Sequence, residues 1–432
     1  MALIAIAAVY VALFAWYIRA TFIGQPYWDM LSIITRYLQY QRDGNVWSYL
    51  WEPHVQHRHV WMRLLTAFDA QVFSGVALPF VLTATLCQAA AALVLWRAVR
   101  RAEPGDTGMW TACLALMLTL TAVAAVDCAL PMNGIYPQTV MFSVLAITLF
   151  DSGDRATDAG LTRRRVLALL AAMAAAFGNA AALCLWPILL GLAWKTRAGR
   201  TWVVAIVVTA AVFGSAYLYR LPGVALGSGQ ASGAVSADQL LRIADYFFTY
   251  LGLPWTRSGA LAGVGTAVGV VCCVAGIGAL LRALLRPIPS RLDRLAVSLI
   301  AFTLATAVLA AVGRSGVDAD LRVPVRYSVF VALMHVGFVL LALPRVVARW
   351  SSVDQRRRVY QVVVAVAVLL TVQQYVSGEA ARATTTSMRA VLARFAAGEE
   401  TEDMRTVVYV DLTQARRDLN AIHAAGLYRE AR

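Results

Sequence analysis

Charged residues are scarce in this chain of 432 residues: they make up 14% of it, whereas 60% of the residues are hydrophobic. Soluble domains carry about 25% charged and about 45–50% apolar residues, so these proportions exclude an ordinary soluble enzyme and a disordered chain. Lysine is almost absent: Lys195 is the one lysine among 38 basic residues. The net charge of +14 is carried by arginine. No basic stripe alternates with aromatic residues, which argues against nucleic-acid binding.

Several short motifs are also absent. The six cysteines lie in or beside apolar runs and none forms a C-x-x-C pair, which argues against a zinc site and a disulfide framework. The chain has no Walker motif, no G-x-G-x-x-G and no G-x-S-x-G, so nucleotide binding and serine hydrolysis gain no support. No internal repeat is present either, which argues against a transporter built from two symmetric halves.

Long apolar runs are abundant, as the mean hydropathy of +0.65 indicates. A membrane span needs about 20 residues. Eleven spans are predicted, at 2–18, 76–96, 109–128, 137–150, 166–177, 180–194, 202–219, 260–281, 295–312, 327–343 and 359–375. Basic residues flank the pair 166–177 and 180–194 on both outer ends. Because basic residues collect in cytoplasmic loops, we expect the chain to turn back at Phe177-Gly178-Asn179.

The arginines also predict the orientation of the chain. Half of the basic residues lie in five loops on one side of the predicted spans, at 97–108, 151–165, 195–201, 282–294 and 344–358. We therefore expect a cytoplasmic N-terminus and an extracytoplasmic C-terminus. A transmembrane domain at 1–376 would carry outer loops 24–75, 221–258 and 313–326, with amphipathic helices at 60–73 and 238–251. A small tail at 377–432 would contain a helix (379–397), a strand (406–410) and a second helix (412–424).

The first outer loop carries the most unusual residues. Asp29 follows Tyr27 and Trp28, and three of the five histidines lie at positions 54, 57 and 59. A carboxylate beside aromatic rings can have a raised pKa and act as a general base. The alternative is a helix N-cap beside an aromatic membrane anchor. Positions 54 and 57 share a helical face but 59 does not, so a zinc site with converging ligands has no support.

Arginines on the outer side predict anion binding. His57-Arg58 suits a phosphate, because a guanidinium offers a fork of donors to an anion. Arg326 begins a span on the outer side, where basic residues are disfavoured, so it needs an anionic partner. Contact with lipid headgroups is the alternative for both arginines. Asp127 and Asn133 are polar residues near the outer end of their spans, which makes them candidates for function.

These motifs together resemble the GT-C superfamily of integral-membrane glycosyltransferases, in particular bacterial members. The resemblance covers most of residues 1–345. It depends on Trp28-Asp29 after the first helix, on His54-Val55-Gln56-His57-Arg58 before the second span, and on Arg326-Tyr327 at the start of a later span. It agrees with the fold that the apolar runs predict, an all-α polytopic membrane protein with about eleven transmembrane helices, outer-face amphipathic helices and a small α/β-like C-terminal tail, and it implies the bacterial cytoplasmic membrane.

The resemblance also implies a function. A sugar would be transferred from a polyprenyl-phosphate donor, with inversion, to a cell-envelope glycan or lipid acceptor on the outer face, without nucleotide or other cofactor. Asp29 would be the general base, with Tyr27 standing where many relatives have a second acid, which leaves metal dependence open. Arg58, His57 and Arg326 would bind the donor phosphate. The remaining candidates for substrate binding are Trp28, Tyr27, His54, Glu52, Asp127, Asn133, Arg314 and Tyr327.

Two other functions fit a polytopic chain with basic outer loops. A flippase or other transporter of lipid-linked sugars would also need many spans and a basic cavity. An O-antigen-ligase-like transferase would use outer-face arginine and histidine without an essential acid. The behaviour of Asp29 separates both alternatives from the glycosyltransferase.

Overall fold

The computed structural model describes residues 1–54, 57–151, 158–221, 236–255, 262–288, 290–314, 323–350 and 352–428. The structure is 84% helical, with no β-strand in these ranges. The helices are α1 (Ala2–Thr21), α2 (Asp29–Asp43), α3 (Val46–Trp51), α4 (Val60–Phe73), α5 (Leu78–Ala102), α6 (Asp106–Thr119), α7 (Ala122–Ala129), α8 (Ile135–Phe150), α9 (Asp158–Ala176), α10 (Leu185–Lys195), α11 (Arg200–Leu218), α12 (Ala237–Gly252), α13 (Ala262–Leu285), α14 (Arg291–Arg314), α15 (Ser328–Arg349), α16 (Val353–Ala396) and α17 (Leu412–Ala424). Short 3-10 helices cover Pro131–Gly134, Ala180–Cys184, Leu253–Trp255, Val325–Tyr327 and Glu402–Thr406.

Eight of the helical segments in the described ranges are long and apolar enough to cross a membrane. Together α6 and α7 make a ninth if the 46° bend between them lies within one span. These nine correspond to nine of the eleven predicted spans. The other two fall on α9 and on the short apolar helix Ala180–Lys195, so the number eleven stays a prediction. The chain is an all-α protein with the helices of a multi-pass membrane protein.

The chain reverses direction between α9 and α10, as the flanking basic residues predict. Asn179 follows the end of α9, and its side-chain oxygen accepts a hydrogen bond from the Ala181 N–H at 2.9 Å. This bond caps the next helical turn. At the far ends of the two helices, Arg165 Nη1 donates to the Ala198 carbonyl at 3.3 Å. The start of α9 and the end of α10 therefore lie side by side.

The helices pack in neighbouring pairs, and between α12 and α13 glycines allow the main chains to approach closely, because a Cβ at Gly252 or Gly269 would overlap the facing main chain. α8 packs between α5 and α9, α14 packs against α15, and α12 packs against α13. The predicted amphipathic helices at 60–73 and 238–251 are present as α4 and α12. Part of the predicted outer loop 221–258, including its Gly- and Ser-rich sequence at 227–233, lies outside the described residues.

The C-terminal segment contains the predicted second helix as α17 (Leu412–Ala424) but differs from the predicted tail before it. Helix α16 runs without interruption through position 377 and packs along α1, where Tyr17 donates to the Tyr375 carbonyl at 3.1 Å. The predicted strand at 406–410 is wrong, because Glu402–Thr406 is a 3-10 helix and the next residues form a turn. An isolated strand would leave its main-chain N–H and C=O groups without hydrogen-bond partners. Here the Val408 carbonyl accepts instead from the Trp28 N–H at 2.7 Å.

Candidate functional site

Asp29 lies in the first turn of α2, at the end of the bundle where α1 ends. It is preceded by Trp28, whose φ of 50° places a bulky residue in the left-handed region. Residues other than glycine adopt this conformation only where the surroundings impose it. The surroundings here are the C-terminal segment: the Trp28 N–H donates to the Val408 carbonyl, and its ring meets Tyr409 edge-on at 6.1 Å. The segment thereby fixes the turn that presents Asp29.

His54 contacts Asp29 directly. Its Nε2 lies 3.3 Å from Asp29 Oδ2, and the Asp29 side chain remains 42% exposed. The pKa of the Asp29 carboxyl is lowered, first by the hydrogen bond with His54 and further by the charges of Arg326 and Arg314, although burial opposes this shift. The carboxylate is therefore ionised at neutral pH and partly open to solvent. The raised pKa expected from neighbouring aromatic rings is not found, because the hydrogen bond with His54 and the nearby positive charges together outweigh burial.

The three histidines form one cluster. His54 and His57 exchange main-chain hydrogen bonds at 2.8 and 3.0 Å, and both rings lie within 5.5 Å of the His59 ring centroid. Burial lowers the pKa of His57 to about 4, with Arg314 adding to the effect. His57 is therefore neutral at pH 7. In the described part of the chain, no group of three histidine, cysteine or acidic side chains is arranged to hold a metal ion.

The turn between α9 and α10 contacts this histidine cluster. His59 Nδ1 lies 3.2 Å from the Gly178 carbonyl, and a carbonyl only accepts, so Nδ1 carries the proton. A side chain at Gly178 has no room, because a Cβ there would lie 2.5 Å from Thr139 Oγ1 and 2.9 Å from the Ile135 carbonyl. Gly178 thus lets the turn after α9 pack closely on α8, and this packing places the Gly178 carbonyl against His59.

Two arginines supply the positive side of the site. Arg314 ends α14 and Arg326 lies in the 3-10 helix before α15. Both guanidinium groups lie over the Tyr327 ring, at 5.8 and 5.9 Å from its centroid, and Arg326 also lies 6.0 Å from the Tyr136 ring. The Nε of Arg326 is buried and has no hydrogen-bond partner among the described residues. An anion would satisfy it.

Other predicted residues join the same cluster. Asn133 donates to Asp127 Oδ1 at 3.0 Å. Tyr27 is buried, and its burial raises the pKa of its hydroxyl, which the charge of Arg326 opposes and that of Asp127 reinforces. The structure therefore brings Asp29, Tyr27, His54, His57, Arg314, Arg326 and Tyr327 to one place, with Asp127 and Asn133 at its inner side.

Arg58 occupies a different position from the one predicted for it. The residue is 2% exposed. Its Nε donates to the Tyr217 carbonyl at 2.6 Å, while Nη1 and Nη2 donate to the carbonyls of Trp51 and Tyr219. The guanidinium thus ties the histidine loop to the end of α11. Three of the five guanidinium N–H groups donate to main-chain carbonyls, which gives Arg58 a structural role here, and its predicted role in phosphate binding stays a prediction.

Glu52 also has partners outside the cluster. Its carboxylate lies 3.8 Å from Arg63 Nη2 and 4.0 Å from Arg36 Nε. Arg63 in turn donates to the Tyr49 carbonyl and lies over the Tyr49 ring. Glu52 therefore belongs to an ion-pair network beneath the loop, and it does not contact the Asp29–His54 pair in the described structure.

Sequence reasoning missed the aromatic wall and the C-terminal contacts of the site. Tyr136 meets Tyr327 edge-on at 5.7 Å, and Tyr250 stacks on Tyr327 at 5.6 Å. These rings come from three distant helices. Tyr136 lies three positions after Asn133, which is the one local signal for it. Nothing near Val408 or Tyr409 in the sequence indicates contact with Trp28.

The fold and the site define an all-α, multi-pass membrane protein with an acid, three histidines and two arginines gathered at one end of the bundle. Comparison of the chain with protein-family models, with curated proteins and with solved structures gave no match.

Proposed function

We propose that the protein is an inverting glycosyltransferase that uses a polyprenyl-phosphate sugar as donor. The acceptor would be a cell-envelope glycan or lipid at the outer face of the bacterial cytoplasmic membrane, and the N-terminus would be cytoplasmic. The observation that supports this best is the placement of the partly exposed Asp29 carboxylate beside His54 and in the field of Arg314 and Arg326.

Asp29 would act as the general base. The acceptor hydroxyl oxygen attacks the anomeric carbon of the sugar and its proton moves to an Asp29 oxygen. The bond between that carbon and the phosphate oxygen breaks, and the lipid phosphate leaves with the bonding electrons. His54, 3.3 Å from the carboxylate, would hold Asp29 in the orientation that receives the proton.

Arg326 and Arg314 would bind the phosphate. Both side chains lie against Tyr327, and the buried Nε of Arg326 offers a donor that no described residue accepts. Charge that develops on the leaving phosphate is stabilised by cations already in place. Neutral His57 beside these arginines would donate or accept a hydrogen bond without adding charge. Tyr27, Trp28, Asp127, Asn133 and Tyr327 would shape the sugar site.

The test is the turnover of Asp29→Asn with a short-chain polyprenyl-phosphate sugar, with donor binding measured on the same preparation. General base catalysis contributes about 10²–10⁴-fold, so turnover should fall by that factor while donor binding persists. Asp43→Asn, at the exposed end of α2, is the matched control and should keep wild-type turnover. An Asp29→Asn protein with near wild-type transfer would favour the ligase-like enzyme, and a wild-type protein that moves but never transfers the lipid-linked sugar would favour the flippase.

A further inference from the structure

A second cavity lies at the end of the bundle opposite to Asp29. It has a volume of about 980 Å³ and is formed where α9, α11 and α14 begin and where α10 and α13 end. Its wall includes Arg165 near the start of α9, whereas the turn after α9 contacts His59. The 19 residues of α9 correspond to about 28 Å at a rise of about 1.5 Å per residue. The cavity is therefore separate from the candidate site.

The lining of this cavity is strongly basic. Five cationic side chains contribute to it, Arg165, Lys195, Arg197, Arg286 and Arg294, against the single carboxylate of Asp151 among the described lining residues. That carboxylate already pairs with Arg294 Nε at 2.7 Å. The remaining four cations exceed the acids available to them in the described wall. An anion would complement the net positive charge of this wall.

Arg165 is held in place as part of the wall. Its guanidinium lies 5.4 Å from the ring centroids of both Phe150 and Trp202, and Nη1 donates to the Ala198 carbonyl. Its Nε is buried and has no hydrogen-bond partner among the described residues. Arg197 and Arg286 are exposed at the rim. The cavity thus combines one fixed buried cation with two cations that can move to meet a ligand.

An apolar groove continues from this cavity between α10, α13 and α14. It has a volume of about 340 Å³ and shares Trp194, Lys195, Leu284, Ile288 and Arg294 with the basic cavity. Its remaining walls are mostly aliphatic and include Pro187, Leu280 and Ala301. Trp194 at the junction is 60% exposed, and tryptophan is typical of the boundary between headgroups and hydrocarbon.

We propose that this cavity and groove bind one anionic phospholipid from the leaflet opposite to the Asp29 site. The phosphate lies among Lys195, Arg197 and Arg286, and one acyl chain runs along α10 past Gly191. In a phospholipid an anionic headgroup is joined to an apolar acyl chain. The headgroup would meet the basic cavity and the chain would enter the apolar groove that continues from it. This lipid site is independent of the proposed glycosyltransferase activity, because it depends only on the packing of the described helices.

The head contact is tested by titrating phosphatidylglycerol into the detergent-purified full chain and counting bound lipids by native mass spectrometry. We expect Arg197→Gln/Arg286→Gln to weaken phosphatidylglycerol binding by about 10- to 30-fold, since each cation near an anionic headgroup contributes about 1 kcal/mol. Arg101→Gln, which removes an exposed arginine from the last turn of α5, is the control for general surface charge and should change binding less than about threefold. Equal losses in both proteins would overturn the proposal of a defined site.

The chain contact is tested at Gly191, where a Cβ meets no atom within 4 Å because the groove is open there. Gly191→Phe should fill the groove and abolish the tightest phosphatidylglycerol binding. Gly214→Phe on α11, where a Cβ also meets no atom within 4 Å, should leave it unchanged. Phosphatidylcholine binding as tight as that of phosphatidylglycerol would overturn the anion requirement. Glycerol 3-phosphate binding as tight as that of the lipid would overturn the assignment of the groove.

Discussion

Replacing Arg58 by methionine should destabilise the protein without changing the affinity of the folded protein for donor. Arg58 is buried, and its three guanidinium nitrogens donate to the carbonyls of Trp51, Tyr217 and Tyr219. Those carbonyls belong to helix ends, where no main-chain donor of the same helix reaches them. A buried acceptor without a partner costs about 1–3 kcal/mol. Methionine keeps much of the side-chain volume and supplies no donor.

The expected loss is about 3–5 kcal/mol in the free energy of unfolding. Leaving three carbonyl acceptors without a donor, at about 1 kcal/mol each, gives the smaller value. The larger value is typical of removing one partner of a buried charged contact. The measurement is thermal unfolding of the purified protein in detergent, followed by tryptophan fluorescence, together with donor binding at a temperature where the variant is folded. Arg36→Met, a side chain 54% exposed, is the control and should shift stability by less than about 0.5 kcal/mol.

The opposite pattern would refute this reasoning. If Arg58→Met unfolds at the wild-type temperature and loses donor affinity, then Arg58 is free to reach the phosphate. The contacts to Trp51, Tyr217 and Tyr219 would then not describe the protein in solution.

Three further predictions concern the neighbouring groups. Arg326→Gln should weaken binding of a short-chain polyprenyl-phosphate sugar by about 1.5–3 kcal/mol, the value of a charge-assisted hydrogen bond, and unchanged affinity would remove Arg326 from the site. Gly178→Ala should destabilise the protein by about 1–3 kcal/mol through overpacking, because its Cβ would overlap Thr139 Oγ1, whereas Gly214→Ala should not lower the unfolding temperature. His57 stays neutral in the folded state down to about pH 4, whereas the unfolded chain takes up this proton near pH 6.5. Stability should therefore decrease as the pH falls from about 6.5 to 4, and His57→Gln should make that decrease smaller in melting curves recorded at several pH values.

Helices with a local sequence signal were predictable. Val60–Phe73 was expected as an amphipathic helix and is present with the same bounds, because its apolar residues recur with the period of one helix face. The structure of residues 406–410 could not be predicted correctly from the sequence. Its short apolar run fits a strand and a turn equally well, and the decision depends on Val408 meeting Trp28, almost 400 residues earlier in the chain.

The composition of the site was predictable in part, from the side of the membrane that each loop was expected to occupy. Asp29, His57 and Arg326 lie in separate parts of the sequence, and they were expected to meet because of the family resemblance together with the shared side predicted for their loops. The side of the membrane on which a loop lies does not determine where each of its side chains points, however. Arg58 follows His57 directly, yet its guanidinium turns toward the end of α11, and only the packing of that helix decides between the two directions.

The electrostatics of the site connect donor binding to the strength of the proposed base. The hydrogen bond with His54 and, to a smaller extent, the charges of Arg326 and Arg314 lower the pKa of Asp29, which keeps the carboxylate ionised but makes it a weak proton acceptor. A lipid phosphate bound by the same arginines would offset their charge, and the pKa of Asp29 would then rise toward its ordinary range. Under the proposed function, Asp29 therefore becomes a stronger base only when the donor is in place. This coupling favours a reaction in which the acceptor hydroxyl loses its proton beside a bound donor and not in the empty site.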